Sequence, residues 1–314
     1  MFLKSWLRKK LTAIVKSELP AVPDLTHDPD RFKALVKAAM PEVAELQHDL
    51  LMPKYQYHSP MDYSTESLPP AYEPAIRIAG VELPVPPPNV RPGYSPDDDN
   101  HYLEWGKADR DRIVGMIKQY AQYKPEMTIL DWGCSSGRVL RHFHDEHKQL
   151  GWRLLGTDIQ AYLIQWMRQN FPAEFEVICG MTIPHLPYRD ASIDVIYGIS
   201  VFTHTKYLWD LWLTEFRRVL KPGGLLIQTV QCEGAWRFYH QNRNLDWVKN
   251  GHPDWMLQQP EISEDFFLYG DAFISQTFFK EKVIRQYWGR ILEVVGFEPP
   301  ATGHYQDWII CKAP

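Results

Sequence analysis

The length, composition and charge of the chain limit what it can be. Its 314 residues, 45% of them hydrophobic, are enough for one large folded domain with an appended segment. The formal net charge of −5 at pH 7 leaves no basic surplus to neutralise phosphates, so we do not expect nucleic acid as the main partner. The 4 cysteines are dispersed without a C-x-x-C pair, which predicts reduced thiols in a cytoplasmic protein and no zinc site.

Residues 1–58 form a predicted helical extension. Within residues 1–18, apolar side chains recur at helical spacing, and most of the other positions are basic or polar. Two interpretations of this segment remain open. It is a basic amphipathic helix on an anionic membrane surface, or a helix that packs on the domain or on a second subunit of a homo-oligomer, which we favour. Because no run of about 18 apolar residues occurs, we expect no membrane-spanning helix.

Residues 59–100 form a predicted proline-rich strap. Prolines recur from Pro60 to Pro96, and their density excludes a long helix or a central strand there. We therefore expect this segment to run extended over the surface, with a small hairpin at residues 76–83.

From residue 101 onwards the chain alternates apolar, strand-like runs with amphipathic helical runs. The predicted strands lie near residues 127–131, 152–157, 174–179, 193–198, 224–230, 291–295 and 307–311. The predicted helices of the same region lie near residues 102–123, 138–148, 160–170, 207–220 and 280–289. Alternation of this kind predicts that residues 101–314 fold as an α/β domain, with a largely parallel sheet covered by helices.

Residues 231–279 do not fit this alternation and are rich in aromatic side chains. An insertion that follows a strand at the carboxyl edge of a sheet lies over the ligand crevice, so it is a natural lid and acceptor pocket. Aromatic residues serve an oligomer interface equally well, and that interpretation stays open.

The most informative motif is the turn in residues 129–138. An apolar strand ends at Asp131, and small residues follow that let the backbone approach a ligand closely. The G-x-G-x-x-G fingerprint of dinucleotide-binding proteins is absent, because only Gly133 and Gly137 occupy the turn. An acid at the end of the strand would repel a pyrophosphate but attract the amino group and the sulfonium of S-adenosylmethionine.

A second strand ends in Asp158, about 20 residues after the glycine turn. An acid at this offset binds ribose hydroxyls in dinucleotide folds, and the same chemistry suits the ribose of S-adenosylmethionine. The alternative for Asp158 is a cap of the helix that follows it.

Together these motifs resemble those of class I S-adenosylmethionine-dependent methyltransferases over residues 102–312. The resemblance is carried by residues 130–134, 137–139, 156–159, 186–188, 192–197, 200–204 and 217–224. It implies a Rossmann-like sheet of seven strands, mostly parallel and with the last strand antiparallel, with helices on both faces. It is greatest to a bacterial subgroup often associated with glycan and secondary-metabolite pathways. One departure is Ser135, where the family usually has glycine.

The motifs and the resemblance assign residues to the cofactor S-adenosylmethionine, with Ile159, Gly180 and Met181 around its adenine. The candidate cofactor residues are Tyr102, Asp131, Gly133, Cys134, Ser135, Gly137, Arg138, Asp158, Ile159, Gly180, Met181 and Ser200. Met181 serves equally well as an ordinary core residue.

His204 is the candidate catalytic residue, because it follows the fourth strand and titrates near neutral pH. A histidine that caps the next helix or bonds a backbone group is the alternative. The candidate acceptor-binding residues are Tyr239, His240, Tyr305 and Asp307. We assign no metal site, since the histidines of residues 141–147 share one helix that should face solvent.

The predicted function is methyl transfer from S-adenosylmethionine to an oxygen of a sugar, glycan or other small molecule. A fold that binds the cofactor as an inactive scaffold is the alternative. A nicotinamide-dependent oxidoreductase is opposed by Asp131 and by the missing dinucleotide fingerprint.

Overall fold

A seven-stranded sheet organises the part of the chain that the structure describes. The computed structural model describes residues 74–92, 98–270, 276–300 and 305–314. The predicted helical extension and the first part of the predicted strap lie outside these residues. The strands of the large sheet are β1 (Thr128–Trp132), β2 (Arg153–Asp158), β3 (Phe175–Cys179), β4 (Ile193–Gly198), β5 (Leu220–Val230), β8 (Glu293–Glu298) and β9 (Asp307–Lys312). A separate two-stranded sheet pairs β6 (Phe266–Tyr269) with β7 (Gln276–Phe279).

The strand order of the large sheet is β3-β2-β1-β4-β5-β9-β8. Strands β1 to β5 pair in parallel, and β9 is antiparallel to both of its neighbours, β5 and β8. The predicted Rossmann-like fold with an antiparallel last strand is therefore confirmed. The carboxyl ends of β1, β2 and β4 consequently meet at one edge of the sheet, where ligands bind in open α/β sheets.

Helices cover both faces of this sheet. They are α1 (Asp99–Tyr120), α2 (His144–Leu150), α3 (Ala161–Asn170), α4 (Trp209–Val219), α5 (Glu233–Gln241), α6 (Asp246–Gly251), α7 (Asp254–Leu257) and α8 (Glu281–Tyr287). Successive residues of a strand point to opposite faces, so Ile129 joins the core under α1 while Leu130 joins the core under α4. All residues of β1 and β4 are buried, as expected for parallel strands covered on both faces.

Two predicted elements need correction at their ends. The predicted helix 138–148 begins later, because the turn continues to Val139 and a short 3-10 helix (Leu140–Phe143) precedes α2. Arg138 and Val139 are turn residues, so the helical segment begins at Leu140 rather than at Arg138. The strand predicted at residues 291–295 is β8, which begins at Glu293 after a short helical turn.

The strap is anchored on the sheet domain where the structure describes it. Ile76 and Val85 form an isolated antiparallel bridge. The hairpin predicted at residues 76–83 therefore extends two residues further, to Val85. Val85 and Val90 are fully buried. Arg141 donates from its guanidinium to the backbone carbonyls of Leu83 and Pro84. The strap is thus tied to the segment that follows the glycine turn.

The insertion at residues 231–279 has a small core of its own. Helices α5, α6 and α7 and the hairpin of β6 and β7 bury Trp236, Tyr239, Val248 and Phe278 against one another. Among the described residues no helix is long and apolar enough to cross a membrane.

Candidate functional site

The turn after β1 is held in a conformation that depends on its small residues. Gly133 and Gly137 both have a φ of +82°, and the backbone amide of Gly133 donates to the carbonyl of Thr157 at 2.7 Å. A Cβ on Gly133 would lie 2.3 Å from Cγ2 of Val201. A side chain there would force the Val201 side chain to move and would strain the left-handed backbone, so glycine is strongly favoured.

Ser135 occupies the third position of this turn with a left-handed backbone. Its φ is +51°, a region that costs an ordinary residue about 1–2 kcal/mol and glycine almost nothing. This explains why a glycine is usual at this position in the family that the sequence resembles. The serine keeps the turn, and its backbone amide donates to Oδ2 of Asp158 at 2.9 Å.

Asp158 connects the ends of β1 and β2. Its second carboxylate oxygen accepts from the backbone amide of Gln160, the residue before α3, at 2.8 Å. Gln160 is the N-cap of α3, so this bond holds the turn before the helix rather than capping the helix directly. A carboxylate has about four acceptor sites, so these backbone bonds do not use all of them, and the ribose contact stays a prediction.

Asp131 is a buried carboxyl group at the end of β1. It is only 4% exposed and accepts a hydrogen bond from the Tyr197 hydroxyl, on β4, at 2.8 Å. Burial raises the pKa of Asp131 to about 7, although the Tyr197 hydrogen bond and the Arg138 charge lower it. The nearby Asp158 carboxylate raises the pKa of Asp131 further. Asp131 therefore changes its charge close to neutral pH.

A small cavity opens beside Asp131. Its volume of about 30 Å³ has room for about two water molecules, which suits the end of an amino acid rather than a nucleoside. The cavity is lined by Arg91, Pro92, Tyr102, Asp131, Gly133, Cys134, Ser135, Arg138, Val139 and Ile199. A buried acid beside a close-approach glycine turn fits the ammonium end of S-adenosylmethionine.

Tyr102 and Arg138 reach the cavity from α1 and from the glycine turn. The Tyr102 hydroxyl lies 3.3 Å from Oγ of Ser136, and burial raises its pKa. Arg138 forms a buried ion pair with Asp109 of α1 at 2.7 Å. Helix α1 is thus part of the wall that encloses this end of the site.

The residues predicted around the adenine follow β2 and β3, on the side of β1 away from β4. Gly180 donates from its backbone amide to the carbonyl of Asp158 at 2.8 Å, and Cys179 pairs with Asp158 across β2 and β3. Ile159 is half-buried and Met181 is 39% exposed. These residues are grouped at the carboxyl ends of β2 and β3, next to the glycine turn, and their adenine contact stays a prediction.

The loop after β4 carries the candidate base. His204 is exposed and ends a short 3-10 helix, Phe202–His204. At the start of the loop, Ser200 has a left-handed φ of +58° and donates from its backbone amide to Oγ1 of Thr229 at 2.7 Å. Gln306 donates to Oγ of Ser200 at 2.9 Å. The loop is therefore fixed at both β5 and the entry to β9.

The four predicted acceptor residues make internal contacts. The Tyr239 hydroxyl donates to Oε1 of Gln231 at 2.7 Å, and Nδ1 of His240 donates to the Leu257 carbonyl at 2.8 Å. The Tyr305 ring lies 5.1 Å from the Tyr239 ring. None of the four belongs to the described residues that line the cavity. Their acceptor contact stays a prediction.

Asp307 is a buried acid at the start of β9. It is 7% exposed, and burial together with the charges of Glu233 and Glu281 raises its pKa to about 6. The charge of Arg237 opposes this shift. Among the described residues no cluster of histidine, cysteine and acidic side chains could hold a metal ion.

Sequence reasoning missed Arg91 and Tyr197. Tyr197 carried a weak signal, because a tyrosine in an otherwise apolar buried strand needs a partner for its hydroxyl. Arg91 carried none, since only the folded strap brings it to the cavity.

Comparison with known proteins agrees with this geometry. Residues 130–228 match the family model described as Methyltransferase domain. The malonyl-[acyl-carrier protein] O-methyltransferase of Yersinia pestis is 31% identical over 123 residues, which are 38% of this chain and 42% of that protein. The 24-methylenesterol C-methyltransferase 2 of Arabidopsis thaliana is 29% identical over 130 residues, or 39% of this chain and 35% of that protein. The chain thus spans less than half the length of these two relatives.

A solved structure matches over more of the chain. The PH0226 protein from Pyrococcus horikoshii OT3 has a TM-score of 0.50 and 17% identity, and the match covers 72% of this chain and 97% of that one. This similarity concerns the fold. The family match and the methyltransferase relatives confirm the prediction of an S-adenosylmethionine-dependent methyltransferase domain.

Proposed function

We propose that the protein transfers the methyl group of S-adenosylmethionine to an oxygen of a small-molecule or glycan acceptor. The observation that carries this proposal is the loop after β4. Ile199, at its start, lines the cavity beside Asp131, and His204, near its end, is exposed. One short loop therefore connects the expected place of the cofactor with a histidine, a residue type that often serves as a general base.

Bound S-adenosylmethionine would supply an electrophilic methyl carbon, to which the acceptor oxygen bonds in line as the carbon–sulfur bond breaks and S-adenosylhomocysteine leaves. The chain has to hold both reactants at the right distance and to keep water out. The turn at Gly133 and Gly137 allows close approach, and Asp131 offers a buried negative charge to the ammonium end. Asp158 keeps acceptor capacity for the ribose.

His204 would take the proton of a hydroxyl acceptor. An alcohol is a poor nucleophile until a base accepts its proton, whereas a carboxylate needs no base. The hydrogen bonds of Ser200 with Thr229 and Gln306 fix the start of the loop, so the histidine is carried on an ordered segment.

The class of acceptor rests on two supports. One relative is named as an O-methyltransferase, which favours oxygen as the methylated atom. The net charge of −5 favours a small molecule or glycan over RNA. The resemblance of the motifs to the glycan-associated bacterial subgroup favours a glycan among these.

The test is transfer of radiolabelled methyl from S-adenosylmethionine into separated pools of nucleotide sugars, lipid-linked glycans, other small molecules, protein and RNA. We expect label in a sugar, glycan or small-molecule pool. His204→Ala should then lower kcat by about 100-fold, while the dissociation constant of the cofactor changes less than about twofold. His185→Ala, at a loop histidine whose side chain is 65% exposed, is the matched control and should leave kcat unchanged.

Other outcomes separate the alternatives. Cofactor binding without label in any pool would support the inactive scaffold. Label in RNA or protein would replace the proposed acceptor class. Unchanged kcat in His204→Ala would remove the histidine as the base and favour a carboxylate acceptor.

A further inference from the structure

Arg91 of the proline-rich strap forms part of the wall of the cavity beside Asp131. Its side chain is fully buried, and its Nε donates to the Pro86 carbonyl at 2.6 Å. Its guanidinium lies over the Tyr102 ring, 5.0 Å from the ring centroid, and pairs with Asp99 at the start of α1. A buried arginine at this place has to serve packing, ligand binding or both.

The strap holds this arginine in place before any ligand arrives. The bridge between Ile76 and Val85 closes with backbone hydrogen bonds of 2.8 and 2.9 Å. Val90, the residue before Arg91, is fully buried, and Arg141 bonds the strap carbonyls at Leu83 and Pro84. A ligand that uses Arg91 would therefore lose little side-chain freedom on binding.

The charges of the cavity match a zwitterion. Its wall contains one carboxyl group, Asp131, and two guanidinium groups, Arg91 and Arg138. Arg138 is neutralised by the buried Asp109, whose side chain is 3% exposed. Arg91 pairs with Asp99, whose side chain is 34% exposed, so water screens that pair more strongly than the pair of Arg138. The wall therefore offers a ligand a carboxyl group on one side and guanidinium groups on the other.

The amino-acid end of S-adenosylmethionine carries an ammonium and a carboxylate on one carbon. Asp131 suits the ammonium, and the planar fork of an arginine suits the carboxylate. We propose that Arg91 binds the cofactor's carboxylate, so that the strap forms one wall of the cofactor site and selects ligands that carry this group. The proposal rests on the use of S-adenosylmethionine by this domain.

Decarboxylated S-adenosylmethionine tests this directly, because it keeps the ammonium and the sulfonium and lacks only the carboxylate. Calorimetric titration of the full-length protein should show about tenfold or greater preference for S-adenosylmethionine over this analogue. In Arg91→Met the preference should collapse to about twofold or less, through weaker binding of S-adenosylmethionine and nearly unchanged binding of the analogue. Arg91→Lys keeps the charge without the planar fork and should retain an intermediate preference.

Arg77→Met is the matched control, since Arg77 lies on the same strap and is exposed. It should keep the full preference. Equal weakening of both ligands in Arg91→Met, or an undiminished preference, would overturn the proposal and assign Arg91 to packing alone. If the wild-type protein bound neither ligand, the cofactor role itself would fall. Binding of both ligands without preference would contradict only the role of Arg91.

Discussion

The carboxyl edge of the sheet and the insertion at residues 231–279 use their polar groups differently. At the sheet edge, Asp131 and Arg91 line a cavity, and Asp158 joins the glycine turn to the residues before α3. In the insertion, Tyr239 and His240 are bonded to neighbours within the insertion itself. The first region is arranged to meet a ligand, while the interior of the second is arranged to hold itself together.

The aromatic residues of the insertion also fall into two groups, one in its core and one exposed at its surface. Trp236, Phe267 and Phe278 pack edge to face in its small core, with ring centroids 5.2 to 5.6 Å apart. Trp247 and Trp255 are 49% and 46% exposed. Any acceptor contact made by this region would therefore come from its outer rings rather than from the hydroxyl of Tyr239.

The largest expected effect is at the glycine turn. Gly133→Ala places a Cβ 2.3 Å from Val201 on a backbone with a φ of +82°. We expect the free energy of unfolding to fall by about 2–4 kcal/mol and cofactor binding to be lost. Urea denaturation measures the free energy of unfolding, and calorimetry measures cofactor binding.

Gly115→Ala is the control, because Gly115 is exposed on α1 and an added Cβ would meet nothing within 4 Å. This variant should raise the free energy of unfolding by about 0.5–1 kcal/mol. Equal losses in the two variants would contradict a special role for the turn.

An intermediate effect is expected from the pH dependence of Asp131. Its pKa of about 7 keeps it protonated at lower pH, and only the ionised form attracts an ammonium. Cofactor affinity should therefore rise between pH 6 and 8 in the wild-type protein. Asp131→Asn should lose this rise and bind about tenfold more weakly at pH 8. Calorimetry across this pH range is the measurement.

The stability of the fold should depend on the same group in the opposite direction. The folded pKa of Asp131 lies above the unfolded value of about 3.9, so folding retains a proton and stability falls as the pH rises from about 4 to 7. Asp131→Asn should lack this fall in stability.

Tyr197→Phe removes a hydrogen bond that lowers the pKa of Asp131, so this variant should move the midpoint of the rise in cofactor affinity to higher pH. If cofactor affinity depended on pH identically in the wild-type protein, Asp131→Asn and Tyr197→Phe, Asp131 would be ruled out as the titrating group.

The smallest expected effect is in the insertion. Tyr239→Phe removes the hydroxyl that bonds Gln231 in a site that is 1% exposed, and should cost about 1 kcal/mol of stability. We expect the Michaelis constant of the acceptor to change less than about twofold. Tyr207→Phe is the control, since Tyr207 is 61% exposed, and it should change neither quantity. A large loss of kcat/KM in Tyr239→Phe with normal stability would show that the hydroxyl meets the acceptor, and would erase the contrast between the two regions.

Much of the cofactor edge could be predicted because its signals are local. Asp131 and Asp158 end apolar strands, and glycine at positions 133 and 137 allows the left-handed backbone of the turn. The predicted start of the helix at Arg138 was wrong because the turn continues to Val139 and the helical segment begins at Leu140. Local sequence shows that a turn exists, but it shows poorly where the turn ends.

The sequence by itself determined the alternation of strands and helices, the glycine turn and the acids that end β1 and β2. These features follow from side-chain periodicity and from backbone conformations that neighbouring residues impose. Only the tertiary structure decided which side chains meet. The Tyr197 hydroxyl reaches Asp131 from another strand, and Arg91 reaches the same cavity from the strap. Such contacts depend on how distant segments pack, because a buried polar group is satisfied by whichever partner the fold brings within hydrogen-bond distance.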